Sequence, residues 1–400
     1  LSLPLGSPPL AAEHSTDVVI SGAPPGGIAA AISAAKDGAK VVLVEPTDMI
    51  GGLVTSGLSH TDFHSFESLS GTFAEMAKRA ENHYIKTYGA DSQQVKDSFR
   101  GTFTEPKVNL LVLEGMIAEQ PNITVRKHGQ LAFLSTIDRR IKTATFTLPA
   151  GETLTLSGKV FIDGTYEGDL MAKAGVEFKV GREGKAEFNE SLAPDQADNQ
   201  LQAYNFRLIM TPEESNRVTP EKPAGYRRED FLELIPALES GKIKKVFEYP
   251  KECIFKPQTP PLPNNKYDIN DVSGGFIRLS LPGKNLGWPE GTEKERQAIF
   301  AEHVRDQIGL LYFLQNDEAV PAKFRDEARQ WGFCKDEFME SGHLPPQLYV
   351  REARRMQGVH VYWQPDSEAV AGDARTKFFP DSIAMGDYGN NCHGTFHEGP

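Results

Sequence analysis

The run VVISGAPPGGIAAAI at 18–32 constrains this chain more than any other feature. A β-branched strand that passes through a glycine- and proline-rich turn into an alanine-rich helix is the opening of a parallel βαβ unit. Lys40 to Val44 then reads as a second buried strand, ending on Glu45, 23 residues after Gly22. A diphosphate needs a tight turn after a strand, close backbone approach, and the free amides and positive dipole of a helix N-terminus. Gly22 and Gly27 hold the first and third places of GxGxxG, while Pro24 replaces the middle glycine. Proline has no amide hydrogen and fixes its φ, so this turn is expected to differ in detail from the usual one. Strand, turn, helix and acid in this order assign Gly22, Ala23, Pro24, Pro25, Gly26 and Gly27 to a dinucleotide diphosphate. Glu45 is assigned to the ribose hydroxyls of an adenosine, which argues against a 2′-phosphate there.

Two further glycine segments extend the pattern. Gly51-Gly52-Leu53-Val54-Thr55-Ser56-Gly57 follows Glu45 directly, where paired glycines let backbone pass close to a flat ligand and the Thr55 and Ser56 hydroxyls can reach phosphate or ring nitrogen. From Gln130 to Asp163, short strands separated by polar turns read as a β-meander. It closes on an apolar strand running into Asp163-Gly164-Thr165-Tyr166-Glu167-Gly168-Asp169, a turn that brings backbone against a dinucleotide. A meander inserted before the last long strand is expected of flavin-binding rather than nicotinamide-binding Rossmann domains. Gly51, Gly52, Thr55, Ser56, Asp163, Gly164, Gly168 and Asp169 therefore join the cofactor set, and the cofactor expected is FAD.

Composition removes several other classes. The 55 acidic and 43 basic residues leave a net charge of −12, which disfavours a nucleic-acid or anionic-membrane partner. The three cysteines, Cys253, Cys334 and Cys392, form no CxxC pair, so no zinc ribbon, iron–sulfur centre or redox dithiol is written here, and no metal is expected. No apolar run approaches the ~18 residues needed to cross a bilayer, so a soluble chain without a membrane span is expected. The first residues, LSLPLGSPPLAAEHS, carry small residues ahead of Glu13 like the tail of a secretory signal, which points toward export and otherwise marks a disordered tail.

Several blocks carry a resemblance. GAPPGGIAAA, GGLVTSG, FIDGTYEGDLMAKAGVEFKVGRE, QAYNFRLIMT, NNKYDIND, LPPQLYVREARRMQG and DSIAMGDYGNNCH resemble successive segments of the FAD-dependent oxidoreductase family sometimes labelled xanthan-lyase-like. The likeness covers about 16–395. It implies a glutathione-reductase-type FAD domain, although Ala23-Pro24 stands where that family usually has Gly-Thr. It also implies a last flavin-facing segment that this sequence does not include.

The expected fold class is α/β, a Rossmann-type FAD-binding domain with a β-meander and an inserted α+β substrate domain. Residues 1–15 are read as leader or tail, 16–175 as the FAD-binding domain, 176–345 as the substrate or cap domain, and 346–400 as a return towards the FAD domain. Thr104 and Pro106 are expected to open a helix with the threonine as cap, and 351–355 (REARR) is expected to be helical. His60, in LSHTDFHSF, is a candidate to relay a proton or stabilise reduced flavin. Arg182 and Arg207 are candidates to fork a carboxylate, and His393 lies in a loop able to reach the active site. The catalytic set is thus His60, Arg207 and His393. The expected function is hydride transfer between a small-molecule substrate and flavin N5. The alternative is a carbohydrate-active lyase or a non-redox flavin-binding protein of the same fold. Substrate, acceptor and oligomeric state are not written in the sequence.

Overall fold

The computed structural model describes residues 13–248, 252–272, 275, 277–389 and 392–395. Residues 1–12, most of the expected leader, lie outside the described residues. The chain divides into two compact units, one of Leu1–Gly52 and Leu113–Phe178 and the other of Leu53–Val112 and Lys179–Pro400. This partition differs from the expected 16–175 and 176–345. The segment 53–112 groups with the second unit, and so do the residues after 345 that were expected to return to the first.

In the first unit, β1 (Glu13–Ser15), β2 (Val18–Ser21), α1 (Pro25–Lys36) and β3 (Val41–Val44) are followed by β4 (Ile123–Arg126). The meander strands β5 (Gln130–Ile137), β6 (Arg140–Thr147) and β7 (Thr153–Ser157) lead to β8 (Val160–Asp163). One sheet has the order β4-β3-β2-β8, all parallel. Strands buried on both faces need no polar alternation, which is why Val18, Val19 and Ile20 stand in a row. Register sets Ser21 beside both Val44 and Asp163, so the carboxyl ends of β2, β3 and β8 coincide. Gly22, Glu45 and Gly164 consequently leave the sheet at one edge, the edge where open α/β sheets bind ligands.

Helix α1 buries Gly27, Ile28, Ala31, Ile32 and Ala35, the three- and four-residue spacing of one helical face. The meander pairs antiparallel, with β1 added in parallel to β7. Its inward residues Leu134, Ala144, Phe146, Leu154 and Leu156 pack with Val19, Val44 and Leu170. Burying Phe146 and Leu156 fully stabilises the unit by about 1.5–3 kcal/mol each.

In the second unit a six-stranded sheet runs in the order Arg217–Val218, Gly332–Cys334, Leu208–Thr211, Tyr267–Asn270, Cys253–Pro257, Lys245–Phe247. The helix Glu293–Asn316 begins at a reciprocal cap, in which Thr292 accepts from the Glu295 amide and Glu295 accepts from Thr292. The helix Gly71–Tyr88 buries Met76, Ala77, Ala80 and Tyr84.

Two local expectations are corrected. The helix Pro106–Ala118 forms, but the Thr104 hydroxyl donates to Asn109 Oδ1 at 2.5 Å instead of capping it. Residues 351–354 carry no helix, and Arg355–Met356 is a two-residue strand. Here tertiary hydrogen bonds override the local propensity: Arg351 Nε donates to Ala203 O at 2.9 Å, and Arg355 pairs with Glu183 and Glu352.

Candidate functional site

The turn after β2 is fixed by close backbone packing. Gly22 has φ +92°, and a Cβ on Gly27 or Gly164 would lie 2.3 or 2.7 Å from Gly22 O. All three positions therefore admit only glycine without a shift of the backbone. Pro24 precedes α1 and Pro25 opens it, so the helix head carries the amides of Gly26 and Gly27, and the first intrahelical bond runs from Ile28 N to Pro24 O. A Cβ on Gly26 would meet nothing within 4 Å. The proline substitution thus leaves two helix-head donors for an anion, one of them beside open space.

Glu45 closes the same edge. Its Oε2 accepts from the Ala23 amide at 2.8 Å, and Oε1 accepts from the amide and hydroxyl of Thr47 at 2.9 and 2.7 Å. The Ala23 amide is therefore a bond to Glu45 and not a diphosphate donor. Each carboxylate oxygen has room for about two hydrogen bonds. One acceptor position on Oε2 is left by these bonds, enough for one ribose hydroxyl where the sequence suggested two. Gly51 N donates to Ala23 O at 2.8 Å, which lays the paired glycines against the turn.

Asp163 is occupied locally. Oδ1 accepts from Thr165 N and Oγ1, and Oδ2 accepts from Met171 N at 2.8 Å, while Thr165 Oγ1 accepts from Gly168 N and Asp169 N. These bonds make Asp163 the organiser of the Gly164–Asp169 turn. Thr55 and Ser56 are buried in the second unit.

The second unit holds a cavity of about 640 Å³. His60, Arg207 and His393, singled out from distant parts of the sequence, all line it, together with Asp62, Lys256 and Arg351. His60 is stacked on Phe103 with ring centroids 4.1 Å apart, and its Nε2 lies 2.9 Å from Pro260 O. A carbonyl only accepts, so Nε2 carries the proton and Nδ1 is the basic nitrogen of the neutral ring. Burial pushes the His60 pKa down, Arg207 adding to the effect and Asp268 opposing it.

The guanidinium of Arg207 is not open for a substrate fork. Its Nε and Nη2 donate to Asp268 Oδ1 and Oδ2 at 2.7 and 2.8 Å, with both side chains buried. Asp268 Oδ2 also accepts from the amides of Ser59 and His60 at 3.0 and 3.3 Å. The pair is a bracket that holds the His60 loop, and Gly57 passes so close that a Cβ there would lie 1.8 Å from Arg207 O. Arg182 is likewise paired, with Asp198. His393 N donates to Gln202 Oε1 at 3.0 Å, and burial next to Arg351 brings its ring down to about 4.

Sequence reasoning missed Lys256 and placed Arg351 on a helix. The signal for the first was present: Lys256 interrupts the apolar strand Cys253–Pro257, and Asp268 does the same in Tyr267–Asn270. A charge amid buried strand residues needs a partner or a purpose.

One acidic group of the second unit lies apart from this chemistry. Glu105, Asp336 and Glu337 bring three carboxylates within 4.8 Å of one another. The fully buried ammonium of Lys266 stands among them, 2.6 Å from Glu105, 2.9 Å from Asp336 and 2.6 Å from Glu337. Burial opposes that charge, but Glu337, Glu105 and Asp336 outweigh it and hold Lys266 protonated.

Parallel strands that deliver a glycine turn, an acidic acceptor and a second glycine turn to one edge define a Rossmann-type dinucleotide-binding protein. The chain belongs to the FAD-dependent oxidoreductase family, whose model, described as FAD dependent oxidoreductase, matches residues 17–399. FAD is the cofactor of this family, and the donor set fits its adenosine diphosphate part: two helix-head amides for the diphosphate and Glu45 for the ribose.

Among solved structures the chain is similar to OxyS anhydrotetracycline hydroxylase from Streptomyces rimosus, at 14% identity and a TM-score of 0.35 over 72% of this chain and 49% of that one. It is also similar to the myxobacterial chondrochloren halogenase CndH, at 13% identity and a TM-score of 0.33 over 52% of this chain and 45% of that one. A third is p-nitrophenol 4-monooxygenase PnpA from Pseudomonas putida DLL-E4, at 15% identity and a TM-score of 0.29 over 49% and 48%. The chain spans just under half the length of each of these proteins. No curated protein matches the sequence. Among the described residues, no helix is long and apolar enough to cross a membrane.

Proposed function

We propose that this chain is the catalytic part of an FAD-dependent oxidoreductase that transfers a hydride between a small-molecule substrate and flavin N5. The observation that carries this reading is the meeting of His60, Arg207 and His393 on one cavity in a chain of the FAD-dependent oxidoreductase family. When bound, FAD supplies a two-electron redox centre that accepts or gives the hydride. Gly26 and Gly27 hold its diphosphate and Glu45 its ribose; Gly22, Ala23, Pro24, Pro25, Gly51, Gly52 and the Asp163–Asp169 turn shape the backbone that these contacts require.

The remaining chemistry belongs to the cavity of the second unit. A substrate that loses a hydride must also lose a proton, and His60 Nδ1 is the base that takes it. Its neutral form is favoured by burial, so the ring is ready to accept at neutral pH. Pro260 O fixes the tautomer, and the Arg207–Asp268 bracket fixes the loop. In the reverse direction the protonated ring returns the same proton.

The test begins with the FAD-loaded chain. It is expected to show flavin absorbance in the visible, to bleach on anaerobic photoreduction, and to recover with a competent acceptor. His60→Ala is expected to keep the bound flavin and to lower turnover by ~10²–10⁴. A chain that holds no flavin would remove the reading, and one that holds flavin but supports no redox turnover would favour the non-redox alternative. Full turnover in His60→Ala would remove His60 from the mechanism.

A further inference from the structure

The charges around the second unit's cavity balance. Arg207 is forked by Asp268. Burial and Arg207 weaken the charge of Lys256, and Asp62 and Asp271 support it. Burial also weakens Arg351, with Tyr349 and Asp271 acting the other way. His60 and His393 are both driven towards the neutral form by burial. Three cations therefore meet three carboxylates, and the lining has no excess of either sign with which to select an ion. What remains for recognition is neutral and polar. Gln202, Gln258 and Asn270 line the cavity, and a side-chain amide both donates and accepts, as a hydroxyl does. Two of the amides are set by backbone donors: Gln202 Oε1 accepts from His393 N at 3.0 Å, and Asn270 Oδ1 accepts from Asp271 N at 2.8 Å. Those bonds fix which end of each amide is oxygen and leave the NH2 end as the donor for a ligand.

Apolar surface reaches the cavity from one strained turn. Phe99, Arg100 and Gly101 have φ of +44°, +59° and +75° in succession. Gly101 lies so close to the helix Gly71–Tyr88 that a Cβ there would be 1.8 Å from Ala77 O. A bulky side chain keeps a left-handed backbone only where its surroundings impose it, and such residues gather at ligand sites. Here Thr102 Oγ1 donates to Phe99 O at 2.7 Å, and Phe103 N donates to Ser98 O at 3.0 Å. The turn stacks Phe99 on Phe103 with centroids 5.0 Å apart, and Phe103 stacks on His60 at 4.1 Å. Phe99 ends this stack, lines the cavity and is 43% exposed.

We propose that this cavity takes an uncharged ring bearing several hydroxyls as substrate, with Phe99 as its stacking surface and Gln258 and Asn270 as hydroxyl partners. The proposal rests on the assignment of the cavity as the substrate site and adds the chemical class of the molecule that enters. The C–H face of such a ring is apolar and its hydrogens meet the negative face of an aromatic side chain, while its rim of hydroxyls needs groups that both donate and accept. The cavity volume of about 640 Å³ lies within the ~300–1,000 Å³ of small-molecule sites. A ring alcohol also carries on one carbon both hydrogens that the proposed oxidation removes. The C–H leaves as hydride to flavin N5, the O–H proton goes to His60 Nδ1, and C–O becomes C=O.

Calorimetric titration of the FAD-loaded chain with glucose, galactose and myo-inositol, and with the charged rings glucuronate and glucosamine, tests this. At least one neutral ring is expected to bind, and no less tightly than either charged one. Phe99→Leu keeps apolar bulk but loses the aromatic face, and is expected to weaken that ring about three- to tenfold, whereas Phe99→Tyr retains it. Gln258→Leu is expected to lose about three- to tenfold as well. Binding of none of the neutral rings, glucuronate or glucosamine binding about tenfold tighter than all of them, or unchanged affinity in Phe99→Leu or in Gln258→Leu would overturn the proposal. Photoreduction of the same samples separates the two readings. Flavin that reduces and reoxidises normally in a chain that binds no neutral ring defeats this proposal alone, whereas a neutral ring bound by a chain that holds no flavin defeats the redox reading alone.

Discussion

At the residue scale, the sequence singles out His60 because it follows the glycine loop, Arg207 because a guanidinium can fork a carboxylate, and His393 because its loop can reach the active site. It could not separate roles. Arg207 was legible as a candidate to fork a carboxylate, but the carboxylate it forks is Asp268, 61 positions away, and only the pairing of the two strands shows this. A half-buried carboxyl makes a residue-level prediction. Asp306 lies on the helix Glu293–Asn316, where burial pushes its pKa up to about 6 from 3.8; Asp230 and Glu302 reinforce this, while Arg305 and Lys284 oppose it. A carboxyl with a raised native pKa binds its proton more tightly in the folded chain than in the unfolded one. Stability therefore falls as pH rises from ordinary carboxylate values to about 6, then levels off. Asp306→Asn is expected to abolish that fall and to stabilise the protein by about 1–3 kcal/mol above pH 7. Thermal melts of both proteins between pH 4 and pH 8 decide it: parallel curves would mean that Asp306 titrates normally.

At the scale of elements, the first unit was the most legible part of the chain. Its strands are continuous β-branched runs and its turns are marked by glycine, so β2, α1, β3, β8 and the meander all follow from local pattern. The REARR segment failed for the opposite reason. Its helical propensity is genuine, but Arg351 and Arg355 bond to residues near 203 and 183, and no local pattern announces those partners. Glycines show the same divide between local and distant causes. Gly89 ends the helix Gly71–Tyr88 with φ +92°, and a Cβ there would meet nothing within 4 Å. Gly57 has φ +106° and also lies against the backbone of Arg207. Gly89→Ala is expected to cost about 1–3 kcal/mol, the penalty of its positive-φ extended backbone alone. Gly57→Ala is expected to cost about 2–4 kcal/mol, because the backbone of the Leu208–Thr211 strand must also shift. Urea denaturation of the two variants measures the difference. Since that shift moves the Arg207 bracket, Gly57→Ala should also raise the KM for substrate while Gly89→Ala leaves it unchanged.

At the scale of the whole molecule, the unit boundaries were the least legible feature, because they depend on where distant segments of the chain are anchored. The residues 53–112 follow a dinucleotide motif in sequence, yet they group with the second unit. The cluster around Lys266 supplies a physical reason. Glu105 comes from that segment, Lys266 from the approach to the strand Tyr267–Asn270, and Asp336 and Glu337 from beyond the strand Gly332–Cys334, so one buried ammonium ties three separate stretches of chain. Lys107 adds a second link, to Asp336. Removing the central cation leaves Glu105 and Glu337 buried beside each other with only the more exposed Lys107, 3.4 Å from Glu105, to offset them, and breaking a buried pair in this way costs about 3–5 kcal/mol. Lys266→Met, close to lysine in length but uncharged, is expected to carry that loss. Because the cluster lies wholly within the second unit, the loss should be confined to it. Hydrogen exchange is the decisive measurement, since it reports opening segment by segment. Amides of the helices Gly71–Tyr88 and Glu293–Asn316 should lose about two to three decades of protection, while those of β2, β3 and β8 keep theirs. Equal loss in the parallel sheet of the first unit would show that the two units unfold as one, and unchanged protection throughout would show that Lys266 is not their anchor.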